Sequence, residues 1–234
     1  MKRLIPLVLV CLVILGCGPK QGPHLAEEQL HKLVKRAQKE YKARQWALAV
    51  ETFREIRDRF PDSRYAVWAE LKMADCKFWA KEYQEAVVLY QEFVKLHPTH
   101  EYIPYVLYQI GTCYYEMILP PDRDQSFTKK AIESYERLLS AYPDSPYTLE
   151  VKQRINHCRQ ILAAHELYVA RFYFRIHYYR AAYHRLLYLL QSYPQTRSAQ
   201  KAQQLVRHYY AKALEETRKL ARGTLKDFWG EPVR

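Results

Sequence analysis

The side chains that could do chemistry do not form a recognisable catalytic or metal-binding set in this sequence. There is no HExxH, GxSxG or CxxC pattern. His97 and His100 flank a proline, and His157 and His165 lie on one predicted helix. Neither pair supplies the four ligands that structural zinc takes. Acidic residues are spread along predicted helix faces at the spacing of surface charge pairs. We therefore predict no enzyme, no catalytic or metal site and no cofactor.

The one cysteine with a clear chemical role is Cys17, near the N-terminus. A charged start, Met1-Lys2-Arg3, precedes an apolar run from Leu4 to Leu15, which is too short to span a bilayer. The run ends in Ile14-Leu15-Gly16-Cys17, which resembles the lipobox of bacterial lipoprotein precursors. That resemblance implies cleavage before Cys17 and its acylation, whereas the alternative is an ordinary signal peptide that contains a cysteine. We predict a signal peptide at 1–16 and a lipidated cysteine with a short tether at 17–24.

Glycine is scarce in the remainder of the chain. Of six glycines, only Gly111 lies between Pro23 and Arg222. Doubly wound α/β folds and phosphate-binding loops need glycines at sharp turns and at close backbone approaches. A nucleotide-binding or dehydrogenase fold is therefore excluded.

The strongest signal is an internal repeat. At a shift of 37 residues, Ala49 aligns with Ala86, Phe53 with Tyr90, and Pro61 with Pro98. Two further copies carry Ala131, Tyr135 and Pro143, and Ala182, Leu186 and Pro194, and a small residue stands upstream in each: Ala37, Ala74, Gly111 and Ala170. This pattern resembles the tetratricopeptide repeat (TPR), a helix–turn–helix unit of about 34 residues. The fold class is thus predicted to be all-α, a TPR-type solenoid of about four and a half to five repeats.

Two insertions break the regular spacing. Eight extra residues near Ile118 to Gln125 predict a wide loop inside the third repeat, and fourteen after Pro143 predict a long helix from about Pro146 to Arg175. The predicted solenoid covers residues 25–222, with repeats near 30–63, 67–100, 104–145 and 146–196, a partial repeat at 198–222 and a tail at 223–234.

Three further cysteines lie within these repeats. Cys76 and Cys113 occupy equivalent positions in adjacent repeats. Packed helices lie about 8–10 Å apart, whereas the Cα atoms of a disulfide usually lie within about 7 Å. We expect Cys76, Cys113 and Cys158 to be small buried residues.

Several segments are similar to a narrower family, the YfiO (BamD) family of outer-membrane protein assembly factors. They are Leu96–His100 with Pro104–Gly111, the insertion residues Asp122–Asp124, Leu162–Tyr173, Tyr179–Arg185 and Ser192–Thr196. The resemblance extends from about Leu25 to Ala202 and departs at the C-terminus, where the family has a clearer fifth helix pair.

The resemblance implies a lipoprotein anchored at the periplasmic face of the outer membrane. It implies that C-terminal repeats dock on the periplasmic domains of the barrel-forming assembly subunit, beside accessory assembly lipoproteins. It also implies that N-terminal repeats engage unfolded outer-membrane proteins. Arg185 occupies the family's docking position and is our candidate for that contact.

A substrate groove is expected on the inner face of the repeats. We number each repeat so that its small residue, such as Ala74 or Gly111, is position eight. The positions that then face the inner side of the solenoid in repeats two and three include Trp68, Leu71, Phe78, Tyr105, Tyr108 and Tyr115. Exposed rings suit an extended apolar or aromatic peptide, although any of them could instead pack against a neighbouring helix.

The net charge of the chain favours some classes of partner over others. The net charge of +12 fits anionic headgroups or acidic partner surfaces, and the export signal argues against nucleic acid as a partner.

The main alternative function is that of another periplasmic TPR lipoprotein, such as a secretin pilotin or a cell-envelope coordination factor. An enzyme of peptidoglycan turnover would need an additional catalytic domain, for which no residues remain.

Overall fold

The structure is a computed structural model that describes residues 23–222, so Cys17 and the predicted tail lie outside the described residues. Within this range the chain forms nine α-helices. They are α1 (Pro23–Lys42), α2 (Trp46–Arg59), α3 (Arg64–Trp79), α4 (Tyr83–Leu96), α5 (Ile103–Glu116), α6 (Ser126–Ala141), α7 (Thr148–Arg175), α8 (Tyr179–Ser192) and α9 (Arg197–Ala221).

Each helix packs on the next along the chain. Short connections make successive helices antiparallel, so α1–α2, α3–α4, α5–α6 and α7–α8 are four helix pairs and α9 begins a fifth. The protein is therefore an all-α solenoid of the TPR type, as predicted.

The residues that define the repeat form the interior of each pair. In the second pair, Ala74, Ala86 and Tyr90 are fully buried. Small residues allow the two helices to approach closely, and the large ring of Tyr90 fills the space beside them. The same arrangement recurs in the other pairs with Phe53, Tyr135 or Leu186 as the large residue.

The long helix α7 belongs to two packing layers. Val151, Ile155 and Cys158 in its first half join the central core of α3 to α6. Leu167 and Ala170 in its second half join a separate core with α8 and α9. The predicted long helix is confirmed, and its length lets one helix connect the two cores.

Three of the connections between paired helices use the same backbone conformation. Arg44, Lys81 and His177 have φ angles of 58°, 63° and 65°, in the left-handed region. After α7, the backbone N–H of Tyr178 donates to Tyr173 O at 2.9 Å, and that of His177 donates to Phe174 O at 3.2 Å. This is the Schellman ending, in which the left-handed residue is usually glycine. In these three turns an arginine, a lysine or a histidine takes the place of that glycine.

The predicted wide loop of the third repeat connects α5 to α6 and is held by side chains. Gln125 is buried, and its Nε2 donates to Pro120 O at 2.8 Å and to Arg123 O at 3.1 Å. From α7, His165 Nδ1 donates to Pro121 O at 2.7 Å, because a carbonyl can only accept. The loop is therefore fixed to both its own repeat and the next.

Candidate functional site

A row of aromatic side chains runs along one face of α5. Tyr105, Tyr108, Thr112 and Tyr115 follow one another at intervals of three or four residues, which places them on one side of a helix. All three rings are partly buried and partly open to solvent. We call this row, with the residues of α3 and α7 that contact it, the aromatic surface.

Helix α7 supplies a hydrogen-bonding side chain to each of Tyr108, Thr112 and Tyr115, in each case 42 residues further along the chain. Tyr147, just before α7, adds a ring contact. Tyr108 stacks on Tyr147 with ring centroids 4.5 Å apart. The Tyr108 hydroxyl donates to Glu150 Oε1 at 2.9 Å. The Tyr115 hydroxyl hydrogen-bonds to His157 Nδ1 at 2.8 Å. Burial raises the pKa of both Tyr108 and Tyr115, so both stay neutral at ordinary pH.

Arg154 is the charged centre of the aromatic surface. Its guanidinium carbon lies 5.3 Å from the ring centroid of Tyr108 and 5.0 Å from that of Tyr115. It also donates to Thr112 Oγ1 at 3.0 Å and to the Tyr135 hydroxyl at 2.9 Å, and it pairs with Glu150 at 2.6 Å. Burial opposes the charge, but the hydrogen bond to Tyr135 and the nearby Glu150 raise the pKa of Arg154 overall. The arginine is therefore a fixed positive charge that holds the two rings in place.

A second polar network lies between α3 and α5. The buried carboxylate of Asp75 accepts hydrogen bonds from the hydroxyls of Tyr90 at 2.8 Å and Tyr105 at 2.9 Å. Lys72 Nζ lies 2.6 Å from the other oxygen of Asp75. Burial and, next, the charge of Asp75 raise the pKa of Tyr90 and Tyr105. A single paired carboxylate therefore fixes the position of Tyr105 relative to α3.

The predicted residues of α3 are placed differently from one another. Trp68 is half-buried and packs edge-on against Phe53 with centroids 5.1 Å apart. Leu71 is only 4% exposed and packs in the central core, so it does not line an open surface. Phe78 contacts Tyr83 at the turn into α4, with centroids 5.6 Å apart. The structure thus brings Tyr105, Tyr108 and Tyr115 together, whereas Trp68 packs beside α2, Leu71 lies in the core and Phe78 packs at the turn into α4.

The groove prediction did not include Tyr147, Glu150, Arg154 and His157. The groove prediction covers repeats two and three alone, and the small residue of the fourth repeat, Ala170, lies in the second half of α7. A signal was nevertheless present, because these four residues are spaced three or four apart and match the row on α5.

Arg185, the predicted docking residue, lies on the exposed side of α8. Its side chain is 45% exposed, and its Nη1 donates to Glu166 Oε2 on α7 at 3.1 Å. One of its donors is thus engaged, while the guanidinium remains accessible to a partner.

The three cysteines of the described chain are buried and unpaired, as expected from their spacing. Burial raises the pKa of Cys76 and Cys113 to about 12 and that of Cys158 to about 11. Residues 23–222 contain no group of three or more His, Cys, Asp or Glu side chains that could hold a metal ion.

Comparison with protein families gives a match over almost all of the described chain. The model of the YfiO family, described as outer membrane lipoproteins, matches residues 26–224. The chain belongs to the YfiO family.

Curated relatives in the YfiO family carry the name outer membrane protein assembly factor BamD. The protein of Pasteurella multocida is 27% identical over 88% of this chain and 82% of its own length. That of Vibrio cholerae is 26% identical over 91% and 94%, and that of Rickettsia prowazekii is 28% identical over 93% and 87%. Among solved structures, the TPR2AB domain of yeast Sti1 in its pHSP90 complex covers 83% of this chain and 75% of its own, with 17% identity and a TM-score of 0.49.

None of the helices described for this YfiO-family chain is long and apolar enough to cross a membrane.

Proposed function

We propose that this protein is a lipid-anchored subunit of the machinery that assembles β-barrel proteins in the outer membrane. In this role it is a non-catalytic scaffold at the periplasmic face. Its aromatic surface holds segments of unfolded outer-membrane proteins, and its C-terminal helix pair, α7 and α8, which carries Arg185, docks on the barrel-forming subunit.

Membership of the YfiO family supports the assembly role, together with the name shared by its relatives. The sequence Ile14-Leu15-Gly16-Cys17 supports the anchor, since acylation of Cys17 would attach the chain to a membrane without a spanning helix.

The observation that carries the substrate role is the fixed arrangement of rings on α5 and α7. The hydroxyls of Tyr105, Tyr108 and Tyr115 already have partners, in Asp75, Glu150 and His157. The three partly exposed rings are therefore held in positions that are set before a substrate arrives. Rigid rings bury a large area at a small entropic cost, which suits aromatic segments of many different sequences.

Site-specific photocrosslinking tests this assignment. A photoreactive amino acid replaces Tyr108 in one variant and Val88 in the other, because Val88 is 62% exposed and lies on α4, which is not part of the aromatic surface. The probe is a synthetic peptide with the C-terminal strand of an outer-membrane barrel protein, ending in an aromatic residue. We expect crosslinks from position 108 that a Tyr115→Ala substitution weakens, and few from position 88.

Equal crosslinking from both positions would mean that the peptide does not select the aromatic surface. In that case the substrate role of this surface is wrong, even if the protein belongs to the assembly machinery.

A further inference from the structure

The connection between α7 and α8 has an unusual composition. Its ten residues, Arg171 to Arg180, contain three arginines, one histidine and six apolar or aromatic residues, and no Asp or Glu. We call this segment the basic turn. Neither the docking residue Arg185 nor the aromatic surface belongs to it.

The basic turn exposes both its charges and two of its rings. Arg171, Arg175, His177 and Arg180 are exposed, and none of the three guanidinium groups pairs with a carboxylate within residues 23–222. Phe172 and Tyr178 are 43% and 48% exposed, although other rings of the segment pack well. Phe174, for example, stacks on Tyr209 of α9 with centroids 4.1 Å apart.

A carboxylate of α9 contacts the backbone of the basic turn rather than its guanidinium groups. Glu216 of α9 accepts a hydrogen bond from the backbone N–H of Arg180 at 2.7 Å. This contact, the stacking of Phe174 and the Schellman ending of α7 hold the turn from three sides. Its exposed side chains therefore project from a fixed backbone.

The residue at the tip has a conformation that favours glycine. His177 has a φ of 65°, where a side chain is strained, and its Nδ1 hydrogen-bonds to the Tyr179 hydroxyl at 2.6 Å. At this position the histidine adds a fourth polar group to the three arginines.

We propose that the basic turn binds the phosphate groups of anionic phospholipids, with Phe172 and Tyr178 entering the headgroup region. Arginine matches phosphate oxygens through several N–H donors at once, and aromatic side chains favour the membrane–water interface. An acidic protein surface would also pair with the arginines, but it does not offer the membrane–water interface that the two exposed rings favour. A headgroup layer accounts for both, because it offers phosphate beside partly apolar surface.

This inference rests on the lipid anchor of the proposed function. An anchored chain experiences the membrane at a high effective concentration, so a weak contact at the basic turn is enough to orient it. The turn then keeps the C-terminal helix pair close to the lipid.

The test uses the full mature chain, anchored to vesicles, with a dye at one introduced cysteine. His184→Cys is suitable, because His184 is exposed one helical turn beyond Arg180, and the native Cys76, Cys113 and Cys158 are fully buried. The vesicles contain phosphatidylcholine with or without phosphatidylglycerol, and both carry a small fraction of lipid with a nitroxide headgroup that quenches the dye at short range.

We expect strong quenching on phosphatidylglycerol vesicles and little on pure phosphatidylcholine. Arg171→Glu with Arg175→Glu is expected to reduce the population at the surface by about tenfold or more. The matched control is Lys129→Glu with Lys152→Glu, which changes the net charge equally at two exposed lysines of α6 and α7. The control is expected to quench like the unmodified chain.

Equal quenching on both kinds of vesicle would overturn the proposal. An equal loss of quenching in the two double variants would also overturn it, because the effect would then come from net charge alone. Unchanged quenching in the double arginine variant would overturn it as well. Mass spectrometry reports separately whether Cys17 carries acyl chains. If Cys17 carries no acyl chains, the proposed lipid anchor is wrong. Binding by the basic turn is then tested by adding phosphatidylglycerol vesicles to the unanchored chain: quenching of the dye supports it, and no quenching overturns it.

Discussion

The ring of Tyr135 occupies the space that a side chain at position 111 would need. A Cβ atom built on Gly111 would lie 2.4 Å from the Cδ1 and Cε1 atoms of Tyr135. The other repeats carry alanine at this position, so the single glycine of the solenoid is explained by a close approach of α6 to α5.

We predict that Gly111→Ala destabilises the protein by about 1–3 kcal/mol, because the packed ring has to move. The sign of the stability change is informative, because replacing a helical glycine with alanine otherwise stabilises a helix by about 1 kcal/mol. Urea unfolding followed by circular dichroism measures the change.

The control for this prediction is the same substitution in a Tyr135→Leu background. Removing the ring removes the clash, so alanine at position 111 is then expected to be neutral or stabilising. A stabilising effect of Gly111→Ala in the native background would show that the close approach does not exist.

The carboxylate of Asp75 connects two helix pairs. We predict that Asp75→Ala costs about 3 kcal/mol, because the buried hydroxyl of Tyr90 then has no acceptor and Lys72 loses its partner. Asp75→Asn keeps an acceptor oxygen and is expected to cost about half as much. Chemical unfolding of both variants tests this, and equal losses would indicate that only the negative charge matters.

Lys81 has the left-handed conformation at the end of α3. We predict that Lys81→Gly raises the free energy of unfolding by about 1 kcal/mol, because glycine adopts this conformation without strain. Ala80→Gly is the matched control, since Ala80 has an ordinary φ of −72° and gains nothing from the change. An increase in stability for the control but not for Lys81→Gly would contradict the account of these turns.

The buried cysteines give a prediction about both the core and the anchor. We predict that the folded mature protein shows no reactive thiol towards a disulfide reagent at pH 8, and that the denatured protein shows three. A fourth thiol after denaturation would show that Cys17 is not acylated.

The raised thiol pKa values also predict a loss of stability at high pH. Unfolded thiols ionise near pH 8.5, whereas the folded pKa values of Cys76, Cys113 and Cys158 are about 11 to 12. Their contribution is complete below about pH 8 and falls as the pH rises towards 12. Replacing the three cysteines with alanine should flatten the stability profile between about pH 9 and 11.

The repeat pattern was enough to predict the fold, because residues such as Ala86 and Tyr90 recur where paired helices touch. It was not enough to predict the aromatic surface. The eight-residue insertion in the third repeat breaks the 37-residue spacing, so the contact of Arg154 with Thr112, 42 residues apart, does not follow from the repeat alone. Leu71 illustrates a finer limit, because it is buried in the core while the adjacent Lys72 pairs with Asp75.

The most direct test of the proposed function is affinity capture of the intact chain from detergent-solubilised outer membranes, alone and with Arg185→Glu. Arg159→Glu is the matched control, because Arg159 also makes one 3.1 Å ion pair, with Glu136, on an exposed surface. We predict recovery of a large barrel-forming subunit with periplasmic domains, lost with Arg185→Glu and kept with Arg159→Glu. Recovery of a secretin or an envelope-division partner without any barrel-assembly subunit would contradict the assembly role.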